Sequence, residues 1–351
     1  QGLFLQDLGT IQNFDKNDGL KSGGMVFDMV NWKGKTYIAT KNGLFVFSGG
    51  NISKHYKKEQ GLPSNIILDM DTYDGLDFIW LATSNGISKF DGTSFINYSK
   101  NLGLPAKLVT AIHVDRTKSN TVWTGSEKSG LTRFDDNGFF NFATQDGLPS
   151  NSIRDITQSK NGDLIIACYN AGVVKYDGKT FKLFNNGLAD KRVILVTNGP
   201  GGSIWAGTES AGVGVLNDDQ FKMVIDADGL GHNEIFSLHY DGKRMWAGTF
   251  GGGVSCLSGD IWYTMSQADG LASSNVGAII SSKGKILLGG NNGLSIFEEN
   301  DAQFALKFDK VLTPKAEIPF QASMSTLAGI INDRFFMTAN AMVYNPADAQ
   351  F

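Results

Sequence analysis

The sequence predicts an all-β protein built as a β-propeller, a ring of four-stranded sheets called blades. Three observations support this: a repeat of 40 to 44 residues, short strand-like segments within each repeat, and glycine-rich turns between them. Glycine makes up 43 of the 351 residues and proline only 7, a composition typical of tight turns. Four short strands in a repeat of this length are typical of a propeller blade.

The first marker of the repeat is a Gly-Leu pair. The pairs begin at Gly19, Gly61, Gly103, Gly147, Gly187, Gly229 and Gly270. Two of them open the string Gly-Leu-Pro-Ser-Asn, at residues 61–65 and 147–151. A marker that recurs at this period points to one structural unit per copy.

Three further columns complete each unit. An aromatic or aliphatic residue precedes small residues at Tyr37, Trp80, Trp123, Ile165, Trp205, Trp246 and Leu287. A glycine precedes apolar residues at Gly43, Gly86, Gly130, Gly172, Gly212, Gly253 and Gly293. An apolar residue follows a turn at Phe95, Phe139, Phe181, Phe221 and Trp262. These apolar runs, bounded by turn residues, predict four strands per unit.

The chain ends determine the expected number of blades. Seven units are plain; residues 1–14 resemble a lone fourth strand, and residues 323–351 resemble a blade that lacks its fourth strand. We therefore prefer eight blades over seven, with the N-terminal strand as the outer strand of the last blade. Residues 309–322 would form an irregular insert, and residues 1–351 a single domain. Closing the ring in this way protects strand edges that invite aggregation.

Several conspicuous residues are interpreted as structural. The four tryptophans at 80, 123, 205 and 246 share one repeat column, so we expect them to pack between blades. His113 and His239 also share a column. Because zinc needs three or four ligands, these two histidines alone do not predict a zinc site. A whole blade separates Cys168 from Cys256, which predicts two buried thiols and no disulfide.

Charge and motifs exclude several classes of function. The net charge of −4, without long runs of one sign, argues against a nucleic-acid partner. The sequence contains no stretch of 18 apolar residues, so it predicts no membrane span. The sequence contains no complete phosphate-binding loop and no set of nucleophile, base and orienting residue. We predict no cofactor, no metal and no catalytic residues.

The repeat resembles that of the two-component regulator propeller family. The resemblance rests on Gly-Leu-Pro-Ser-Asn, then Trp-x-Ala/Gly-Thr, then Gly-Leu/Ile-x-x-Phe-Asp-Gly, most clearly in residues 61–98 and 103–142. It implies a bacterial sensor-type domain, periplasmic or extracellular, and a carbohydrate ligand. Because the sequence contains no kinase segment, we expect an exported binding module.

The candidate ligand site lies where loops depart from the repeat. In a propeller, the loops that enter the first strand and those that join the second and third strands share one face. A rigid scaffold positions such loops and lets their sequence vary. The candidate residues on this face are Lys107, Lys128, Arg154, Tyr169, Lys191, Arg192, His232 and Phe250.

Three functions compete on this basis. The first is noncatalytic recognition of an oligosaccharide or another anionic ligand, because basic residues of blades 3 to 5 would concentrate an anion. The second is a protein-interaction scaffold that uses the same loops. The third is a polysaccharide lyase, for which Tyr169, His232 and Arg192 would be the residues to test.

Overall fold

The structure is a computed structural model that describes residues 9–15, 18, 20, 25–118 and 120–299, with strand segments at 327–331 and 334–337. Residues 2–300 form one compact unit, and residue 1 groups with residues 301–351 in a second. The described part of the first unit contains seven four-stranded antiparallel sheets. The predicted all-β propeller is therefore confirmed.

The strands follow one another in the order that the repeat predicts. The chain begins with β1 (Gly9–Phe14). Blade 1 contains β2 (Val26–Trp32), β3 (Lys35–Thr40), β4 (Gly43–Ser48) and β5 (Asn51–Tyr56). Blade 2 contains β6 (Ile67–Asp71), β7 (Ile79–Thr83), β8 (Gly86–Phe90) and β9 (Phe95–Tyr98). Blade 3 contains β10 (Val109–Val114), β11 (Val122–Ser126), β12 (Leu131–Asp135) and β13 (Gly138–Phe142).

The second half of the ring repeats this pattern. Blade 4 contains β14 (Ile153–Gln158), β15 (Leu164–Cys168), β16 (Gly172–Tyr176) and β17 (Phe181–Phe184). Blade 5 contains β18 (Val193–Asn198), β19 (Ile204–Thr208), β20 (Val213–Asn217) and β21 (Gln220–Val224). Blade 6 contains β22 (Ile235–Tyr240), β23 (Met245–Thr249), β24 (Val254–Ser258) and β25 (Ile261–Met265). Blade 7 contains β26 (Val276–Ser282), β27 (Lys285–Gly290) and β28 (Gly293–Glu299).

Short turns of 3-10 helix complete the connections. Five of them lead into Gly-Leu pairs, at Lys58–Gln60, Lys100–Leu102, Thr144–Asp146, Asp226–Asp228 and Gln267–Asp269. A sixth, Pro200–Gly202, joins the first two strands of blade 5. The glycine that ends such a turn adopts a left-handed backbone, with φ of 105° at Gly61, where a side chain would be strained.

The N-terminal strand closes the ring, as predicted, but it joins a different blade. β1 pairs antiparallel with β28, from Gly9 opposite Glu299 to Phe14 opposite Leu294. It thereby supplies the fourth strand of blade 7. The prediction had placed this strand on a blade made of residues 323–351, and that assignment was wrong.

The preference for eight blades was also wrong, and the alternative of seven is observed. The innermost strand of blade 7, β26, packs directly on β2 of blade 1. At this seam Asn31 Nδ2 donates to the carbonyl of Ser281 at 2.8 Å. A methyl group on Gly277 would lie 2.4 Å from the carbonyl oxygen of Val26. Contact this close leaves no space for an eighth blade.

The end of the chain remains only partly described. Residues 309–322 lie outside the described residues. Of residues 323–351, the structure describes β29 (Leu327–Ile331) and β30 (Arg334–Met337), which pair as a two-stranded sheet. The assignment of an irregular insert to residues 309–322, and of the chain to a single domain, stays a prediction.

The hydrophobic core is divided among the seams between blades. The tryptophan column is buried, with exposed fractions of 0% to 6%, which confirms the predicted packing role of Trp80, Trp123, Trp205 and Trp246. Trp32, which the repeat left unassigned, is also buried, and its indole N–H donates to the carbonyl of Leu76 in blade 2 at 2.8 Å.

Candidate functional site

Backbone hydrogen bonds gather the predicted ligand loops on one side of the ring. Within blade 5, the N–H of Glu209, between the second and third strands, donates to the carbonyl of Arg192 in the entry loop at 3.0 Å. Between blades, the N–H of Gly86 donates to the carbonyl of Lys107 in the next entry loop at 2.7 Å. These loops together form what we call the loop face.

Arg192 is the centre of a polar cluster on this face. Its Nε and one terminal nitrogen donate to the two oxygens of Asp190, both at 2.9 Å. The same terminal nitrogen donates to Ser210 Oγ at 2.9 Å, and the other one donates to Glu209. Protein acceptors therefore occupy this guanidinium, so Arg192 fixes the shape of two loops.

The environment of Asp190 favours its charged form. Burial opposes ionisation, but the hydrogen bonds from Arg192 and Ser210 outweigh it and hold the pKa of Asp190 below its ordinary value. The cluster is thus an ionised, charge-assisted network at neutral pH.

Tyr169 extends this network into blade 4. Its hydroxyl donates to Glu209 Oε2 at 2.9 Å, and this bond raises the pKa of the phenol. The Arg154 guanidinium lies 4.6 Å from the centroid of the Tyr169 ring. A terminal nitrogen of Arg154 is 3.6 Å from Glu127 of blade 3, which is longer than a hydrogen bond. Arg154 is therefore held less tightly than Arg192.

The uncompensated positive charge of this sector belongs to lysines. In the part of the chain that the structure describes, the three predicted lysines are exposed and form no ion pair; they are Lys107, Lys128 and Lys191. By contrast, Arg154 and Arg192 together lie beside three carboxylates. The predicted basic sector thus has an inner arginine–carboxylate network and an outer set of lysines.

The two remaining candidates form a separate aromatic cluster on blade 6. The rings of His232 and Phe250 lie 6.4 Å apart, and Phe236 packs edge-on against Phe250 at 5.5 Å. Phe250 is 46% exposed, and His232 Nδ1 accepts the N–H of Glu234 at 3.0 Å. The structure does not join this cluster to the arginine network through any bond among the described residues.

The sequence pattern missed the acidic partners in this site. The carboxylates of Asp190 and Glu209 bond to Arg192, and that of Glu127 lies 3.6 Å from Arg154, which is 27 residues further along the chain. The one local signal is that Asp190 stands two residues before Arg192, where its side chain also accepts the Arg192 N–H at 2.9 Å. Contacts between different loops have no fixed spacing in the sequence, so they could not be recognised from it.

A second set of acidic residues lines the inner strands. Each of three carboxylates accepts a backbone N–H from the innermost strand of the next blade. The pairs are Asp28 with Met70 (2.9 Å), Asp69 with Ile112 (2.6 Å) and Asp155 with Val196 (2.8 Å). Burial raises the pKa of all three, that of Asp28 to about 7. These side chains fasten neighbouring blades near the axis of the ring.

The two histidines of the shared column have different local partners. His113 Nδ1 lies 3.1 Å from Asp71 of blade 2. His239 Nε2 accepts the N–H of Ser281 of blade 7 at 3.1 Å, and burial lowers the pKa of His239. Within the described residues, no group of three or more His, Cys, Asp or Glu side chains is arranged to hold a metal ion.

Both cysteines are buried thiols, as predicted. Cys168 lies in blade 4 and Cys256 in blade 6, and each is completely buried. Burial raises the pKa of Cys168 to about 12, which keeps the thiol protonated and unreactive at neutral pH.

Solved structures with a similar fold include the extracellular domain assigned to the hybrid two-component system BT3049 of B. thetaiotaomicron. It has a TM-score of 0.72 and 22% identity over 82% of this chain. PorZ, a surface component of the type-IX secretion system of Porphyromonas gingivalis, has a TM-score of 0.63 and 19% identity over 78% of this chain. A streptogramin B lyase has a TM-score of 0.70 and 13% identity over 84% of this chain and 99% of its own.

These similarities confirm the suspected resemblance at the level of the fold. The chain spans 42% of the BT3049 domain and 46% of PorZ, so it corresponds to less than half of either. No protein-family model and no curated protein matches the sequence. Among the described residues, the structure has no helix with the length and apolar character that a membrane crossing requires.

Proposed function

We propose that this protein is a noncatalytic recognition propeller that binds an acidic oligosaccharide or a similar anion on its loop face. The observation that carries the proposal is the network of Arg154, Tyr169, Glu209, Arg192 and Asp190, which departs from the repeat. Structural similarity to extracellular domains of two-component systems supports a sensor-type role outside the cytoplasm.

The network positions the lysines that would contact the ligand. Lys191 stands between Asp190 and Arg192, whose side chains are bonded to each other, and Lys128 follows Glu127, which lies beside Arg154. Their backbones are therefore fixed before a ligand arrives, and a fixed site loses less entropy on binding. Ammonium groups spread over blades 3 to 5 suit a ligand whose carboxylates or sulfates are also spread along a chain.

The test is a binding titration by calorimetry with a short oligogalacturonate and with a neutral oligosaccharide of equal length. We expect the acidic oligosaccharide alone to bind. Changing Lys107, Lys128 and Lys191 together to Gln should weaken binding at least tenfold without lowering the melting temperature, because these side chains are exposed and form no ion pair in the described part.

A matched control removes three lysines elsewhere. Lys160, Lys179 and Lys222 are also exposed, but they lie in turns on the other side of the ring or on an outer strand. Their change to Gln alters the net charge equally and should leave affinity within twofold. Equal losses in both triple variants, or binding of the neutral sugar as tightly as the acidic one, would refute the proposal.

Protein docking is the second candidate, because three large apolar side chains are exposed on the loop face. Ile66 and Leu108 stand just before the first strands of blades 2 and 3, and Phe250 lies on blade 6. Exposed apolar area of this kind favours a protein partner. Changing these three residues to Ser should abolish capture of that partner and leave oligosaccharide binding unchanged, which separates the two candidates.

A further inference from the structure

A β-bulge recurs at the same position in all seven innermost strands. In β6, for example, Ile67 pairs with Thr83 and Asp69 pairs with Ala82, so Leu68 has no partner. The other strands repeat this shift. Six of the bulged residues, which we call the mouth residues, are Phe27, Leu68, Thr110, Arg154, Ile194 and Phe236.

The mouth residues lie where the central channel opens on the loop face. The innermost strands contact one another in sequence around the ring and so surround its axis. Each bulge lies one residue beyond the start of its strand, and its side chain can reach the loops: Arg154 stacks on Tyr169, and Phe236 packs on Phe250.

Bulges redirect side chains. Here the Thr110 hydroxyl donates across the seam to the carbonyl of Ile153, whereas the apolar mouth residues lie outside the seams. All six mouth residues are partly exposed, although the residue before each bulge, such as Ile67 or Ile153, is completely or almost completely buried. None of the apolar ones belongs to the inter-blade clusters formed by the described residues. Their apolar surface is therefore available to something that enters the channel.

The chemistry of this ring is mixed in a specific way. Four members are apolar, namely Phe27, Leu68, Ile194 and Phe236, and a single member, Arg154, is charged. In the described part of the chain, the only polar contact of the Arg154 guanidinium is the 3.6 Å approach to Glu127. Unlike Arg192, Arg154 therefore has donors left for an anionic group.

The next layer limits how far an anion can enter. Asp28, Asp69 and Asp155 each follow a mouth residue directly in the sequence, and their carboxylates bond to the neighbouring strand. A negative group pushed past the mouth would lose its water among the buried side chains of this layer, and ionisation of any of these carboxyl groups would repel it further. It is therefore kept at the level of Arg154.

We infer that the channel mouth is a second binding site, for an apolar group joined to a carboxylate. The apolar group occupies the ring of Phe27, Leu68, Ile194 and Phe236, and the carboxylate pairs with Arg154. The C-terminus of a peptide that ends in an apolar residue has this chemistry, and so does a fatty acid. The site differs in ligand from the lysine site proposed above and shares with its supporting network only Arg154.

The experiment measures binding of three probes by saturation-transfer NMR and calorimetry. The probes are N-acetyl-glycyl-phenylalanine, the same dipeptide with a C-terminal amide, and octanoate. We expect the free acid to bind at least tenfold more tightly than the amide. Whichever of the peptide acid and octanoate binds more tightly identifies the source of the carboxylate. Equal affinity for acid and amide, or no binding of either acid at millimolar concentration, would overturn the inference.

Variants separate the two parts of the site. Arg154→Met should abolish the preference for the acid and keep the weaker binding of the amide, whereas Ile194→Ala with Phe236→Ala should weaken both. Arg133→Met is the matched control, because Arg133 also stacks on an aromatic ring, that of Phe140 at 4.3 Å, but lies on an outer part of blade 3. An equal effect of Arg133→Met would contradict the assignment.

Two further measurements keep the outcome clear. Melting temperatures of all variants show whether a loss of binding reflects unfolding. The lysine triple variant should keep the preference for the acid probe, so that failure of the oligosaccharide proposal and failure of this inference remain distinguishable.

Discussion

The asparagine of the Gly-Leu-Pro-Ser-Asn string holds its own loop together. Its side-chain oxygen accepts the first N–H of the preceding 3-10 turn, and a serine oxygen does so in the last copy. The pairs are Asn65 with Lys58, Asn151 with Thr144, Asn233 with Asp226 and Ser274 with Gln267, at 2.8 to 3.0 Å. The repeat string is therefore a structural clamp.

This clamp leads to a stability prediction. Asn151→Ala removes the acceptor for the Thr144 N–H and should lower the free energy of unfolding by about 1 kcal/mol, the usual value of one such bond. Chemical denaturation measures the change. Asn137→Ala is the control, because Asn137 lies in an exposed turn where its backbone N–H makes the contact. Equal losses in both variants would show that the clamp contributes nothing.

Asp28 predicts a pH dependence. Burial raises its pKa to about 7 in the folded protein, above the ordinary value near 4, so the folded state binds the proton more tightly. The stability that protonation provides is therefore lost as pH rises from about 4 through about 7. Asp28→Asn keeps an acceptor for the Met70 N–H and cannot ionise. Between pH 5 and 8, the melting temperature of this variant should fall less than that of the unchanged protein. An equal fall in both would contradict the assignment.

At the scale of the strand, composition revealed the pairing but not its irregularities. Apolar columns such as that of the tryptophans marked the strands because each blade must fill the same seam. The bulges left no such mark, since the bulged positions hold residues as different as Phe27, Arg154 and Gly277. A bulged side chain that does not pack in a seam is not restricted to one type of residue, so it forms no recognisable column in the repeat. The channel mouth could therefore not be predicted.

The loops show the same division. The repeat correctly placed Arg154, Tyr169 and Arg192 on one face, because loop position follows from strand order. Their partners Glu127 and Glu209 come from other loops, and only the folded geometry brings them together. The sequence therefore predicted which loops meet on this face and overestimated their positive charge.

The closing strand supports a prediction at this scale. Removing residues 1–14 deletes β1 and should destabilise the ring, because burial of Phe14 alone contributes about 2 kcal/mol and the edge of β28 would be exposed. Removing residues 1–8 leaves β1 intact and should change the melting temperature little. If both deletions melt at the temperature of the intact protein, the strand does not contribute to closure.

The number of blades is a property of the whole ring, and the repeat alone could not fix it. Residues 334–344 resemble the second and third strands of a unit, so counting favoured an eighth blade. The number of blades is decided by where the ring closes. In the structure, β26 of the seventh blade contacts β2 of the first. Local similarity to a strand carries no information about this contact.

Net charge predicts how binding responds to salt. The protein carries −4 overall, so an acidic oligosaccharide is attracted only by the local field of the lysines on the loop face. That attraction is screened over about 10 Å at 0.1 M salt. Affinity should fall severalfold between about 0.05 M and about 0.3 M sodium chloride. Calorimetry measures it, and an affinity that salt does not change would point to uncharged contacts.

The pairing of β1 with β28 also determines how the ring responds to mechanical force. Gly9 and Glu299 are partners at one end of the ladder, and the chain continues from both at that same end. Tension applied between these two points loads the hydrogen bonds one after another, as a zipper opens, and never the whole ladder at once. We therefore expect that pulling at Gly9 and Glu299 opens the β1–β28 pairing, and with it blade 7, before any other blade.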